Sequence, residues 1–343
     1  MKPQDQTEPD KAGCRLPSTP EPTEVEIELT NICNASCSMC PRGALTEHRG
    51  MMSEATFTRV VESYAGVRPG LAINRITGGG DWPLFTFAGL GEPTLHPHLA
   101  RFAALATSAG FAVVLFTNGS RLDERKSAAL IQAGVRTFYV SFWGIEANEY
   151  AAAMSLDYHA TLRNVETLRR LCEQGSAELV VTWIQAPQVA STPNQVARFW
   201  RERGIEVDMS EFSPWNRGGH LSVPELGGVF AGYEPVDTRV QIWCDQLAFT
   251  DTVTWEGNVV LCSQDYFKRS HVLGTAGNDP CGLWRAKGRL LAARPIPALC
   301  QACRKPSRNY AFGSEPWDRV LDETERARYD YELRDIVSPS RDR

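Results

Sequence analysis

The sequence is poor in several features that would each have decided its class. No apolar run in its 343 residues approaches the roughly 20 needed to span a bilayer. Its N-terminus, MKPQDQTEPDKAGCRLPSTPEPTEVE, lacks the apolar segment of a secretory signal. Neither sign of charge dominates: 36 Lys and Arg stand against 41 Asp and Glu, and the basic residues are scattered, with no stripe that would track a phosphate backbone. Histidine is scarce, at six residues. These absences argue against membrane and nucleic-acid partners and point to a soluble, cytoplasmic protein. Cysteine is the exception, with ten residues. A chain of this length buries enough core to fold without disulfide staples, so in a reducing compartment the thiols suggest metal ligation.

Residues 1–22 contain five prolines and few apolar residues, the composition of a disordered tail in which Cys14 is incidental. EVEIELT (24–30) then alternates with period two and predicts a strand. Further strands are predicted at 83–90, 111–119, 137–144, 178–185 and 207–212, and helices at 97–109, 123–133, 159–174 and 194–203. This βα alternation predicts an α/β fold, a partial (β/α)6 TIM-like barrel whose chemistry gathers at the C-terminal ends of the strands. It stops near residue 230, where short strands joined by a turn at Glu256-Gly257-Asn258 and a helix at 281–292 predict a small second domain. The resulting division is a tail (1–22), a barrel (23–232), a cysteine-bearing domain (233–312) and a charged helical extension (313–343). GGGDW (78–82) lacks the Lys-Ser/Thr of a phosphate loop and precedes a strand, so it reads as a turn.

CNASCSMC (33–40) places Cys33, Cys37 and Cys40 on one loop directly after the first strand. Close thiolates suit soft metals and iron–sulfur clusters, and three ligands leave one coordination position for another molecule. A zinc site completed by His48 is the alternative at this point. His96 and His98 in HPH follow a turn at a helix start, where turn geometry explains them more simply than zinc.

With Gly91-Glu92-Pro93 after the second strand and Thr117-Asn118-Gly119 after the third, these cysteines resemble the radical S-adenosylmethionine superfamily over about residues 24–310. The resemblance implies a [4Fe–4S] cluster held by Cys33, Cys37 and Cys40, with S-adenosylmethionine chelating the open iron and yielding a 5′-deoxyadenosyl radical on reductive cleavage. It implies an external one-electron reductant such as flavodoxin or ferredoxin. It places Gly91 and Glu92 by the methionine amino group, Met39 by the adenine, and Asn118 and Ser141 near the ribose.

Cys244, Cys262, Cys300 and Cys303, with Gly257 in the intervening hairpin, are similar to the twitch domain, a shortened SPASM domain with one auxiliary [4Fe–4S] cluster. A four-cysteine zinc site is the alternative. The position of a further SPASM cysteine, six residues after Cys303, is Asn309. Four ligands leave no open iron, so the auxiliary cluster would serve as electron acceptor. Asn216-Arg217-Gly218-Gly219 looks like a segment of the 2-deoxy-scyllo-inosamine dehydrogenases of aminoglycoside biosynthesis. That likeness puts Arg217 at the substrate, a sugar, aminocyclitol or related polyol of secondary metabolism, whose secondary alcohol is oxidised. Leu90 and Phe116 stand where those enzymes have tyrosines, which argues for a different substrate. An epimerase using Cys281 as hydrogen donor, a decarboxylase and a peptide maturase are the rival enzymes, although the short segment before the first strand weighs against the maturase. A purely structural metal protein leaves GEP unexplained.

Overall fold

The computed structural model describes residues 24–38, 40, 42, 48–65, 84–184, 186, 188–210, 242–244, 250–263, 265, 272–292 and 309–311. Arg217, Met39, Cys300, Cys303, the GGGDW turn and the C-terminal extension lie outside them, as do the side chains of Cys244 and Cys281.

Six strands run parallel in chain order: β1 (Glu24–Ile27), β2 (Leu84–Phe87), β3 (Ala112–Thr117), β4 (Val135–Ser141), β5 (Glu178–Ile184) and β6 (Glu206–Ser210). Helices α1 (Glu54–Tyr64), α2 (Leu99–Ser108), α3 (Glu124–Gln132), α4 (Ala147–Met154), α5 (Tyr158–Gln174) and α6 (Pro193–Arg201) connect them. Parallel strands require such crossovers, and alternate strand residues feed the layer between sheet and helices. Val25, Phe85 and Val113 lie side by side in register and pack with Phe57 of α1 and Phe102 of α2, whose rings stack 4.3 Å apart. The alternate rung, Glu26, Thr86, Val114 and Thr137, shares the opposite, inner face of the sheet. Apolar outside and polar inside is the pattern of a barrel wall that faces a polar ligand.

The sheet does not end at β1. Strand β7 (Ile242–Cys244) stands apart from it, but β8 (Thr250–Val253) pairs parallel with β1, Thr252 opposite Glu26. Strands β9 (Asn258–Val260) and β10 (Val272–Thr275) continue antiparallel, giving nine strands in the order β10-β9-β8-β1-β2-β3-β4-β5-β6. The turn between β8 and β9 needs Gly257, whose φ of +89° disfavours any residue with a Cβ. The cysteine-bearing stretch expected as a second domain therefore begins by extending the barrel sheet. A two-stranded antiparallel sheet joins β7 to β11 (Asn309–Ala311), with Cys244 opposite Asn309.

A buried ion pair fixes helix α7 (Pro280–Ala292) to this extension. Lys287 Nζ donates to Asp251 Oδ1 at 2.6 Å and to the Thr250 carbonyl, while Tyr64 of α1 donates its hydroxyl to Asp251 Oδ2 at 2.8 Å. Burial, reinforced by the Asp251 charge, raises the Tyr64 pKa and keeps the phenol a donor. Among the described residues no helix is long and apolar enough to cross a membrane.

Candidate functional site

The first turn after β1 is built by backbone contact with the turn after β2. Glu92 N donates to the Ile32 carbonyl at 2.8 Å, and the two loops touch closely enough that a Cβ on Gly91 would collide with the Thr30 carbonyl. Glycine at 91 is thus required by close approach. The cysteine loop is held on its other side by α4, where Ser38 N donates to the Ala153 carbonyl at 2.9 Å and Ser155 Oγ donates to the Ser36 carbonyl at 3.1 Å. Ser155 ends α4 in the left-handed region, with φ of 56°. Three loops at one end of the parallel sheet therefore lock Cys33, Cys37 and Cys40 in place.

Glu92 is 2 % exposed and organises the site from beneath. Its Oε1 accepts from Thr94 N at 3.0 Å, Thr94 Oγ1 at 2.5 Å and Thr117 Oγ1 at 2.6 Å, and its Oε2 from Asn118 N at 2.7 Å. It thereby caps the short 3₁₀ turn Pro93–Leu95 and ties the end of β3 to the cysteine loop. The resemblance cast Glu92 as a partner of a ligand amine; the structure gives it these protein donors, with acceptor capacity remaining on Oε2. Asn118 spans the gap to the cysteine loop. Its Nδ2 donates to Asn34 Oδ1 at 3.1 Å and points at Cys33 Sγ at 4.0 Å, and its Oδ1 accepts from Ser120 N at 3.0 Å. Ser141, at the end of β4, accepts from Thr182 Oγ1 at 3.3 Å.

The thiols sit in a desolvated setting with donors aimed at them. Ala35 N donates to Cys33 Sγ at 3.4 Å. Burial pushes all three thiols up, Cys37 to about 12, and the neighbouring sulfurs of Cys40 and Cys33 add to the rise at Cys37. As free thiols they are poor acids; as ligands they need the positive charge of a metal centre. No three His, Cys, Asp or Glu side chains among the described residues converge as ligands of a single ion would. The His48 ring lies 6.0 Å from that of Trp255. Three neighbouring thiols on one loop are a donor set whose chemistry suits an iron–sulfur cluster.

The other sequence candidates divide. His96 has both ring nitrogens engaged, Nδ1 accepting from His98 N at 3.2 Å and Nε2 facing the Met52 carbonyl at 3.0 Å, so HPH is turn geometry. Cys172 is buried on α5 with its thiol raised to about 11 by desolvation, an inert core position. Cys262 follows β9 and is buried, and Cys244 ends β7. Sequence reasoning missed Arg42 and Thr94. Thr94 had a signal, since a carboxylate two residues before a threonine after Pro93 is a turn cap. Arg42 had none beyond its place two residues after the last cysteine.

Comparison with known proteins agrees with this geometry. Residues 27–183 match the Radical SAM superfamily, and this stretch of the chain is a radical SAM domain. Such a domain implies a [4Fe–4S] cluster and S-adenosylmethionine, and the three-cysteine loop is the part of this chain whose donors fit that pair. The chain is 27 % identical over 154 residues to a tungsten-containing aldehyde ferredoxin oxidoreductase cofactor-modifying protein of Pyrococcus furiosus, across 45 % of this chain and 36 % of that protein. It is 30 % identical over 156 residues to an AdoMet-dependent heme synthase of Methanosarcina barkeri, across 44 % of this chain and 40 % of that protein. The chain thus spans well under half of these curated relatives. Among solved structures, BtrN in complex with AdoMet and 2-DOIA superposes with a TM-score of 0.54 at 18 % identity, over 84 % of this chain and 96 % of that one. SuiB of Streptococcus suis, bound to its precursor peptide SuiA, superposes with a TM-score of 0.59 at 11 % identity, over 84 % of this chain and 72 % of that one. These likenesses show a shared fold.

Proposed function

We propose that the protein is a radical S-adenosylmethionine oxidoreductase that oxidises a secondary alcohol of a sugar, aminocyclitol or related polyol, with an auxiliary [4Fe–4S] cluster as electron acceptor. When bound by Cys33, Cys37 and Cys40, the first cluster supplies the electron that cleaves S-adenosylmethionine to a 5′-deoxyadenosyl radical. The chain's own part is positional. The Gly91 and Glu92 turn fixes the loop, Glu92 Oε2 retains acceptor capacity for the methionine amine, and Asn118 and Ser141 line the strand ends where a ribose would lie.

The observation that carries the oxidative reading is the strand pairing around the second cysteine set. Cys244 in β7 lies opposite Asn309 of β11, six residues after Cys303, and Cys262 follows a hairpin hydrogen-bonded to β1 itself. The hairpin puts Cys262 on the same sheet as the first cysteine loop, and the sequence spacing of Cys244, Cys262, Cys300 and Cys303 supports one ligand set. A ligand set without an open position suits an electron acceptor, and removal of a carbon-bound hydrogen, a proton and one further electron from a carbinol leaves a carbonyl. The inner-face carboxylate of Glu26 and hydroxyls of Thr86, Thr137 and Thr252 support a small polar substrate, which Arg217 would bind. BtrN, whose structure holds AdoMet and 2-DOIA, supports the same reading, while the SuiB–SuiA complex keeps a peptide substrate as the second one.

The test uses reconstituted protein with sugars and aminocyclitols deuterated at the carbinol carbon. The expected result is one deuterium in 5′-deoxyadenosine per product, and a product that a carbonyl reagent traps. An isomeric product carrying solvent hydrogen, abolished by Cys281→Ala, would replace oxidation with epimerisation. Release of carbon dioxide would indicate decarboxylation, and turnover only on peptides would make the protein a maturase.

A further inference from the structure

Arg42 stands inside the cysteine loop without a carboxylate. Its Nη2 donates to the carbonyl of Ala35, midway between Cys33 and Cys37, at 2.6 Å. No ion pair joins it to an acid among the described residues, in contrast to Arg101, Arg169 and Arg203. The guanidinium is therefore pinned by one neutral acceptor, and the anions it faces are those that form when the thiols bind metal. Bonded across the loop to the residue between Cys33 and Cys37, and two residues after Cys40, the cation sits beside the three-cysteine turn, while the Glu92 carboxylate lies buried beneath it. Ala35 N and Asn118 Nδ2 offer partial charges at Cys33 alone.

Reduction of a cluster at this site adds one electron, delivered by an external one-electron donor, and so one more negative charge beside a buried carboxylate. A cation fixed beside the cysteine loop favours the more negative state; charge near a cluster and hydrogen bonds to its sulfurs are two of the means by which proteins set its potential. We propose that Arg42 is the counter-charge of the three-cysteine centre, a positioning residue that raises the reduction potential of the cluster and so sets how readily it accepts the priming electron. The inference rests on the reading that Cys33, Cys37 and Cys40 hold that cluster. It differs from a structural role for the same side chain, because what matters is the charge and not the bond to Ala35.

The test is a redox titration of the full chain, reconstituted anaerobically as wild type, Arg42→Lys, Arg42→Gln and Arg42→Glu. It follows the electron paramagnetic resonance signal that responds to S-adenosylmethionine, together with iron content. Arg42→Lys should stay within about twofold of wild type in the reduction equilibrium. Arg42→Gln should be reduced about tenfold less readily, a fall of about 59 mV for one electron, and Arg42→Glu should fall further. Loss of the cluster from Arg42→Gln with retention at wild-type potential in Arg42→Lys would support the same conclusion. A wild-type potential in Arg42→Gln, or equal losses in Gln and Lys, would overturn it. A wild type with no responsive signal would instead defeat the cluster assignment beneath it, a result visible before any substitution is compared.

Discussion

At the scale of single residues, the cysteines show how burial and chemistry are matched. A thiol raised to about 12, as Cys37 is, holds far less thiolate near neutrality than an ordinary cysteine. In the cluster-free protein at pH 8, the thiolate fraction of Cys37 falls about a thousandfold below that of a thiol with the reference value of 9.0. Alkylation of Cys37 by iodoacetamide, followed by peptide mass spectrometry, should accordingly be slow at pH 8. It should accelerate steadily as pH rises toward 12, because thiolate appears only as that pKa is approached. Urea should abolish the difference by exposing the thiol. A Cys37 that reacts at pH 8 as fast folded as unfolded would contradict the desolvated loop. The cysteines themselves were legible in the sequence because ligand type and spacing are local properties. Glu92 was legible as a site residue but not as the acceptor of Thr94, Thr117 and Asn118, since Thr117 and Asn118 reach it only through the register of β2 with β3.

Among elements, the long strands and their helices were readable because short apolar runs such as 111–119 alternate with amphipathic segments such as α5. The omissions have physical causes. Strands β7 and β11 span three residues each, too few for a period, and β10 contains Gly274. Helix α1 was signalled by Ser53, whose side chain caps Thr56 N, and by Phe57, Val60 and Tyr64 on one face. The Lys287–Asp251–Tyr64 contact was not legible at all, because its members lie on three elements brought together by the sheet extension. Its energetics can be tested. Lys287→Met leaves Asp251, fully buried, without its cation, and should destabilise the fold by about 3–5 kcal/mol in urea. A paired Lys287→Met/Asp251→Leu variant should recover much of that loss, since it removes both charges. If the single variant lost under 1 kcal/mol, the ion pair would not be what fastens α7.

For the whole molecule, the proposed function predicts about eight irons per chain after reconstitution, about four at each cysteine set. Cys33→Ala/Cys37→Ala/Cys40→Ala should keep about half of the iron while losing every trace of S-adenosylmethionine cleavage. Wild-type iron near four would remove the auxiliary cluster from the proposal. The pairing of β1 with β8 also has a consequence in time. Glu24 and Thr250 are neighbours in space, bonded through their side chains, yet 226 positions apart along the chain. At a synthesis rate of about 5–20 residues per second, the strand that leads into the cluster loop waits about 11–45 s for its second neighbour to be made. Until then one edge of β1 is bare, a row of unsatisfied backbone donors and acceptors that invites pairing with another chain. The cysteine loop leaves the ribosome early, and the wall beside it arrives late. Cluster insertion into a finished site is thus an event of the completed polypeptide, and a chain released near residue 245 should aggregate before it can be loaded.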